Sequence, residues 1–207
     1  MRLRVLLFLI ILISIAGTTV VSAQQNTGDW TPPQIIFQTE GTLTDSKMAL
    51  VGDQAGQLHL FFPHRPEGTT AYSIDYMYWD GITWSEPNDI LVDPGGDVVS
   101  FITAAIDESA QVVHLIWHGT GDKLRYSSAP LTLAGNGRAW SRPQVIGDVV
   151  GEPHLIAGPD GALYVAYSNA QTPSTLSLVF STNAGKNWSS PVFVASSPAG
   201  SVPDEPR

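Results

Sequence analysis

The sequence predicts an all-β chain made of repeated four-stranded units, and three observations carry that prediction. One phrase recurs, as Gly81-Ile82-Thr83-Trp84-Ser85-Glu86-Pro87, Gly137-Arg138-Ala139-Trp140-Ser141-Arg142-Pro143 and Gly185-Lys186-Asn187-Trp188-Ser189-Ser190-Pro191, with a degraded copy at Gly28-Asp29-Trp30-Thr31-Pro32-Pro33. By difference of residue numbers the four tryptophans stand 54, 56 and 48 residues apart, the spacing of one supersecondary unit stacked repeatedly. Each period also holds the same series of short β-branched or aromatic runs bounded by Gly, Asp and Pro, and no window after the leader shows helical periodicity. Four short antiparallel strands per period, repeated, describe a β-propeller.

The elements follow in order. Met1-Arg2-Leu3-Arg4 is a basic start, Val5 to Ala16 an apolar run of 12 residues, and Val21-Ser22-Ala23 offers small residues for cleavage. Residues 1–23 therefore read as a secretory signal peptide cut after Ala23, which makes the protein secreted or cell-surface. The rival reading is an uncleaved anchor, for which the run falls short of the roughly 20 residues a span needs. Residues 24–43 form an N-terminal segment in which Trp30 to Phe37 reads as an orphan outer strand, a fourth strand without its first three.

Residues 44–207 are the partial propeller, with blades expected at about 44–93, 98–147 and 152–195. First strands are Met48-Ala49-Leu50-Val51, Ile102-Thr103-Ala104-Ala105-Ile106 and Leu155-Ile156-Ala157; each leads into a turn at Asp53-Gln54-Ala55-Gly56, Asp107-Glu108-Ser109-Ala110 or Pro159-Asp160-Gly161. Gly and Asp suit such turns because Gly tolerates positive φ and Asp bonds its own backbone. Second strands Leu58-His59-Leu60-Phe61-Phe62, Val113-His114-Leu115-Ile116-Trp117 and Leu163-Tyr164-Val165-Ala166-Tyr167 align without gaps. Third strands follow around Tyr76, Tyr126 and Val179, and the Trp-Ser-x-Pro phrase opens the fourth. One Trp per unit at a fixed offset is what packing demands, so Trp84, Trp140 and Trp188 are expected to lock the turn between strands three and four against their own blade.

The third phrase, Ser181-Thr182-Asn183-Ala184-Gly185-Lys186-Asn187-Trp188, resembles the Asp-box of the sialidase-like (BNR repeat) propellers, Ser-x-Asp-x-Gly-x-x-Trp. Asn183 replaces the usual Asp. The resemblance implies a sialidase-like β-propeller, here incomplete, with Ser181, Asn183, Gly185 and Trp188 as structural residues. It implies for an active member three arginines on the substrate carboxylate, a Tyr nucleophile with a Glu partner, and an Asp acid/base. The segment where the first arginine belongs reads Gly41-Thr42-Leu43-Thr44-Asp45-Ser46-Lys47, and only Arg65, Arg125, Arg138, Arg142 and Arg207 follow the leader. No catalytic residue is therefore assigned, and the chain as it stands is not expected to be an enzyme. Glu205-Pro206 repeats Glu152-Pro153 at the very end, which points to a fragment of a longer product; self-association through open sheet edges is the alternative.

Composition narrows the partner. The chain lacks cysteine and carries a net charge of −9, and loss of Arg2 and Arg4 with the leader leaves 8 basic against 19 acidic side chains. That balance argues against nucleic acid. The cluster Asp93-Pro94-Gly95-Gly96-Asp97 lacks the spacing of a calcium loop and reads as a solvated turn; His59 and His114 read as half-buried strand residues, so no metal or cofactor is expected. Loops on a rigid scaffold concentrate function. A ligand, expected to be a glycan or cell-surface polymer, is placed on the face opposite the Trp turns, at His64, Arg65, His118, Asp122, Glu152, His154 and Asn169. The expected function is thus a secreted, non-catalytic propeller that serves as a carbohydrate-recognising module or an interaction scaffold, or else the N-terminal part of a secreted exo-sialidase-like glycoside hydrolase.

Overall fold

Ser85, Ser141 and Ser189 of the repeated phrase all do one job. Each donates its N–H to the carbonyl of a third-strand residue (Tyr78, Ser128 or Phe180, every bond 2.8 Å) and accepts that same residue's N–H on its Oγ at 3.0, 3.0 and 3.1 Å. This two-way clamp folds the chain back after the turn and fixes where the fourth strand begins. The following Pro starts that strand at a position where no ladder donor is lost.

The computed structural model describes residues 32–43, 47–94, 96, 99–172 and 175–196. Residues from Ile35 onward belong to one unit; of the other, Met1–Gln34, only residues 32–34 are described. The signal peptide, Trp30, Asp97 and the Glu205–Arg207 end lie outside the described residues. β1 (Thr42–Leu43), β2 (Ala49–Gly52), β3 (Leu58–Arg65), β4 (Ser73–Trp79) and β5 (Asn88–Val92) form the first sheet. In it β1 and β2 pair with opposite ends of β3, as one interrupted inner strand. β6 (Val99–Asp107), β7 (Val112–Gly119), β8 (Lys123–Pro130), β9 (Gln144–Ala157), β10 (Leu163–Asn169), β11 (Thr175–Ser181) and β12 (Val192–Ser196) run on as one hydrogen-bonded series.

β9 serves two blades. Its residues 144–148 pair with β8 as the outer strand of the second blade, and 149–157 pair with β10 as the inner strand of the third. The junction expected as a break between 147 and 152 is therefore a continuous strand, bent at Gly151 with φ +77°. The inner strands β2, β6 and the later part of β9 neighbour one another in succession. The fold is an incomplete β-propeller of three four-stranded antiparallel blades, and among the described residues the ring is not closed. The segment expected as an orphan outer strand behaves differently over its described part: residues 32–39 pair with no strand. Phe37 instead turns its ring onto the outward face of the first blade, 5.6 Å from Phe62 and edge-on to His64.

Two apolar seams hold the blades together. Phe61, Ile74, Tyr76 and Ile90 meet Val113, Leu115 and Trp117 in the first, and Ile116, Leu124 and Tyr126 meet Val165, Tyr167 and Val179 in the second. Trp140 and Trp188 fill these seams, which corrects for those two the expectation that each phrase tryptophan packs on its own blade. Trp140, 7% exposed, stands edge-on to Phe61 of the preceding blade, and Trp188 stands edge-on to Tyr126, 5.0 Å between ring centres. Among the described residues no blade precedes that of Trp84, which sits half-buried against Leu60, Phe62 and Met77 on the outward face.

The turn before Trp188 is closed by its own side chains. Ser181 Oγ accepts from the backbone N–H of Asn183 and Gly185, and Asn183 Oδ1 accepts from Asn187 N–H at 2.9 Å. Gly185 has φ +79°, and a Cβ there would lie 1.9 Å from the Tyr126 hydroxyl. Glycine is required on both counts.

Two stability measurements check this account. Trp140→Ala is expected to cost about 3–5 kcal/mol, and Trp84→Ala less, because only the former empties a closed seam. Ser189→Ala is expected to cost about 1 kcal/mol, the value of one returned hydrogen bond. Urea unfolding of the three variants gives the ranking, and equal losses at Trp84 and Trp140 would contradict the seam assignment.

Candidate functional site

Strand connectivity divides the loops into two ends. Turns between second and third strands (66–72, 120–122, 170–172) and the blade-to-blade links lie at one end. Turns between first and second strands and those carrying the Trp phrase lie at the other.

At the first end, carboxylates are paired with cations or hydrogen-bond donors. Asp93, 2% exposed, leaves the outer strand of the first blade and enters the second. Its Oδ1 accepts from Trp117 Nε1 at 3.1 Å and forms an ion pair with Arg125, 2.7 Å from Nε, and its Oδ2 accepts from Thr120 N–H at 3.1 Å. The Asp93 end of the expected solvated turn is thus a buried latch, because a carboxylate taken out of water needs such donors. Asp148 stands at the corresponding place one period later and bonds Lys123 Nζ at 2.5 Å and Gln171 Nε2 at 2.8 Å. The Lys123 bond holds its pKa below the ordinary carboxylate range.

The residues expected to bind ligand fall into groups within single blades. His64 is buried; its Nδ1 bonds Asp75 Oδ2 at 2.8 Å and its Nε2 lies 3.1 Å from Thr39 Oγ1. Arg65 donates to Thr42 Oγ1 at 3.1 Å and lies over the Tyr72 ring. His118 bonds Asp122 at 3.1 Å and stacks on Phe101, whose backbone takes φ +49°. Glu152 is bonded by Lys47 and lies 3.9 Å from His154 Nε2. Asn169 Oδ1 accepts from Gln171 N–H. The structure brings His118 to Asp122 and Glu152 to His154, while His64 and Arg65 are tied into the first blade. Sequence reasoning missed Asp75, Phe101 and Asp148; the shared place of Asp93 and Asp148 in the repeat was the available signal.

His59 and His114 are not half-buried, as the sequence suggested, but buried, with Nδ1 bonded to Tyr76 OH at 2.8 Å and Tyr126 OH at 2.9 Å. Tyr126 spends its own proton on Ala184 O across the seam. His114 must therefore carry its hydrogen on Nδ1, which leaves Nε2 bare and without a partner. Burial pushes the His114 imidazole down to about 4 and lowers His59 as well, against the opposing pull of Asp107 and Asp53.

At the opposite end a cleft of about 500 Å³ opens on the seam of the first two blades. Tyr76 and Tyr78 form one wall, and the connection around Thr132 to Asn136 forms the other, with Gln57, Ser85 and Asn88 at its margin. A second hollow of about 380 Å³ lies among the inner turns at Gln54, Asp107, Glu108 and Pro159.

No protein-family model matches the sequence, and no curated protein matches it. Solved structures do. A variant of the Aleuria aurantia lectin, in complex with α-methyl-L-fucoside, is 17% identical with a TM-score of 0.57 over 84% of this chain and 52% of its own. An exo-β-1,3-galactanase from Phanerochaete chrysosporium is 12% identical with a TM-score of 0.53 over 70% of this chain and 37% of its own. A Hadza microbial sialidase reaches a TM-score of 0.48 at 17% identity over 68% of this chain and 36% of its own, too low to argue from. At such identities the likeness is one of fold, and the chain spans between about a third and about half of these structures.

The buried histidine predicts a pH dependence. The unfolded chain takes up a proton on His114 near 6.5 and the folded chain only near about 4. Stability from this group is therefore complete above pH 6.5 and is lost as the pH falls toward 4, by up to about 3 kcal/mol. Thermal unfolding from pH 7 to 4 reads this directly, and His114→Gln is expected to flatten the slope whatever it does to absolute stability. An unchanged slope would contradict the assignment.

Proposed function

We propose that this chain is a secreted, sialidase-like Asp-box propeller module that binds carbohydrate and, as it stands, does not hydrolyse it. The observation that carries the reading is the fate of the arginines. Arg125 is held by buried Asp93, Arg65 by Thr42 and the Tyr72 ring, and Arg138 and Arg142 ride on the connection at the other end. The four described arginines are divided between the two ends, so no clamp of three guanidinium groups for a sialic acid carboxylate is built among them. The carboxylates Asp75, Asp93, Asp122, Asp148 and Glu152 are each bonded to a histidine, lysine or arginine. Glycoside hydrolysis needs two carboxyl groups free to flank the bond. What remains is hydrogen-bonding capacity beside aromatic rings, the chemistry that holds a sugar. The closed turn at Ser181, Asn183 and Gly185 supports the Asp-box reading, and the basic-apolar-small leader supports secretion.

A second reading, part of a longer sialidase-type hydrolase, is favoured by the outward face of the third blade, where Ile156, Tyr164 and Val192 stay exposed and a further blade would fit.

A glycan array probed with the chain from Gln24 onward, together with a fluorogenic sialoside assay, tests the proposal. Glycan hits without sialoside turnover are the expected result; turnover, or an array without hits, would overturn it.

A further inference from the structure

We infer that the cleft on the seam of the first two blades is a binding site for an uncharged saccharide; this rests on the carbohydrate reading above. The site is built by an insertion. The connection from β8 to β9 spans residues 131–143 with two 3-10 turns, Leu131–Leu133 and Gly137–Ala139, and leans onto the first blade. Leu131 and Ala134 are buried there, Trp140 Nε1 donates to Ala134 O at 2.9 Å, and a Cβ on Gly135 would lie 3.3 Å from the Tyr76 ring. The wall is therefore anchored before any ligand arrives, which lowers the ordering cost of binding. The facing wall is equally fixed, by the His59–Tyr76 hydrogen bond and by the Ser85 clamp on Tyr78.

The lining decides the ligand class. Tyr78, 37% exposed, presents an aromatic surface at the mouth, and Asn88, Gln57, Thr132 and Asn136 supply amide and hydroxyl groups around it. No carboxylate, lysine or arginine lines the cleft, and His59 at its floor is kept neutral by burial. An anionic sugar would find no cation there and would approach an acidic chain. A neutral sugar has an apolar ring face for Tyr78 and hydroxyls for the amides, and a volume of about 500 Å³ is within the range of small-ligand sites.

The test compares neutral glycans, such as galactosides, fucosides, xylosides and arabinosides, with sialylated ones on an array, using the wild-type chain, Tyr78→Ala, Tyr78→Phe and Asn88→Ala/Thr132→Ala. Glu67→Ala, in the exposed 66–72 turn, serves as control at the other end. Neutral glycans should bind, Tyr78→Ala should weaken them about tenfold, Tyr78→Phe should retain them, and Glu67→Ala should leave them unchanged. The Asn88/Thr132 pair, both exposed, gives the same reading should Tyr78→Ala not fold. Glycan binding that is confined to anionic sugars, or that survives the folded cleft variants, would overturn this site while leaving the carbohydrate reading intact. An array without any hit would overturn that reading and this one with it.

Discussion

The rest of this chain depends on the serine clamp that follows each phrase tryptophan. A serine returns both a backbone and a side-chain hydrogen bond to one residue of the preceding strand, so the fourth strand of every blade starts in a fixed register. With the register fixed, the neighbouring Trp140 and Trp188 swing toward the previous blade and meet Phe61 and Tyr126. A local turn thereby governs a long-range contact. Short blades of few residues bury little on their own, and stacking supplies the missing apolar surface.

The seams carry a second, polar layer that follows the same repeat. Asp93 reaches from the end of the first blade into the second, and the Asp148 side chain spans Lys123 and Gln171 of the second and third. On the other side the Asp53–His59–Tyr76 and Asp107–His114–Tyr126 series occupy equivalent places, and the second is completed by Ala184 of the next blade. Most buried polar groups in a close-packed interior find partners, and for Asp93, Asp148 and Tyr126 at least one partner belongs to the adjacent blade. Such bonds constrain how one blade is set against the next more narrowly than apolar contact does.

The loop end illustrates how placement changes the meaning of a residue. Charged side chains that look available in sequence are committed once folded, His64 to Asp75 and Glu152 to Lys47. The opposite end, where the turns were expected to be structural, holds the cleft of about 500 Å³ because one connection is longer than its counterparts. Function on a repeated scaffold lives where the repeat is broken.

The sequence by itself determined the strand series, the repeat and the identity of the packing tryptophans, because period-two alternation and recurring turn residues are local properties that each segment carries alone. It placed Gly185 correctly as structural, though not the Tyr126 hydroxyl that forbids a side chain there. Tertiary structure alone decided which blade each tryptophan fills, that residues 32–39 pair with no strand, that β9 runs unbroken between two blades, and that Asp93 is a buried latch. Each of these depends on which side chain of one period meets the next. A chain of near-identical turns states its neighbours only through the geometry of stacking.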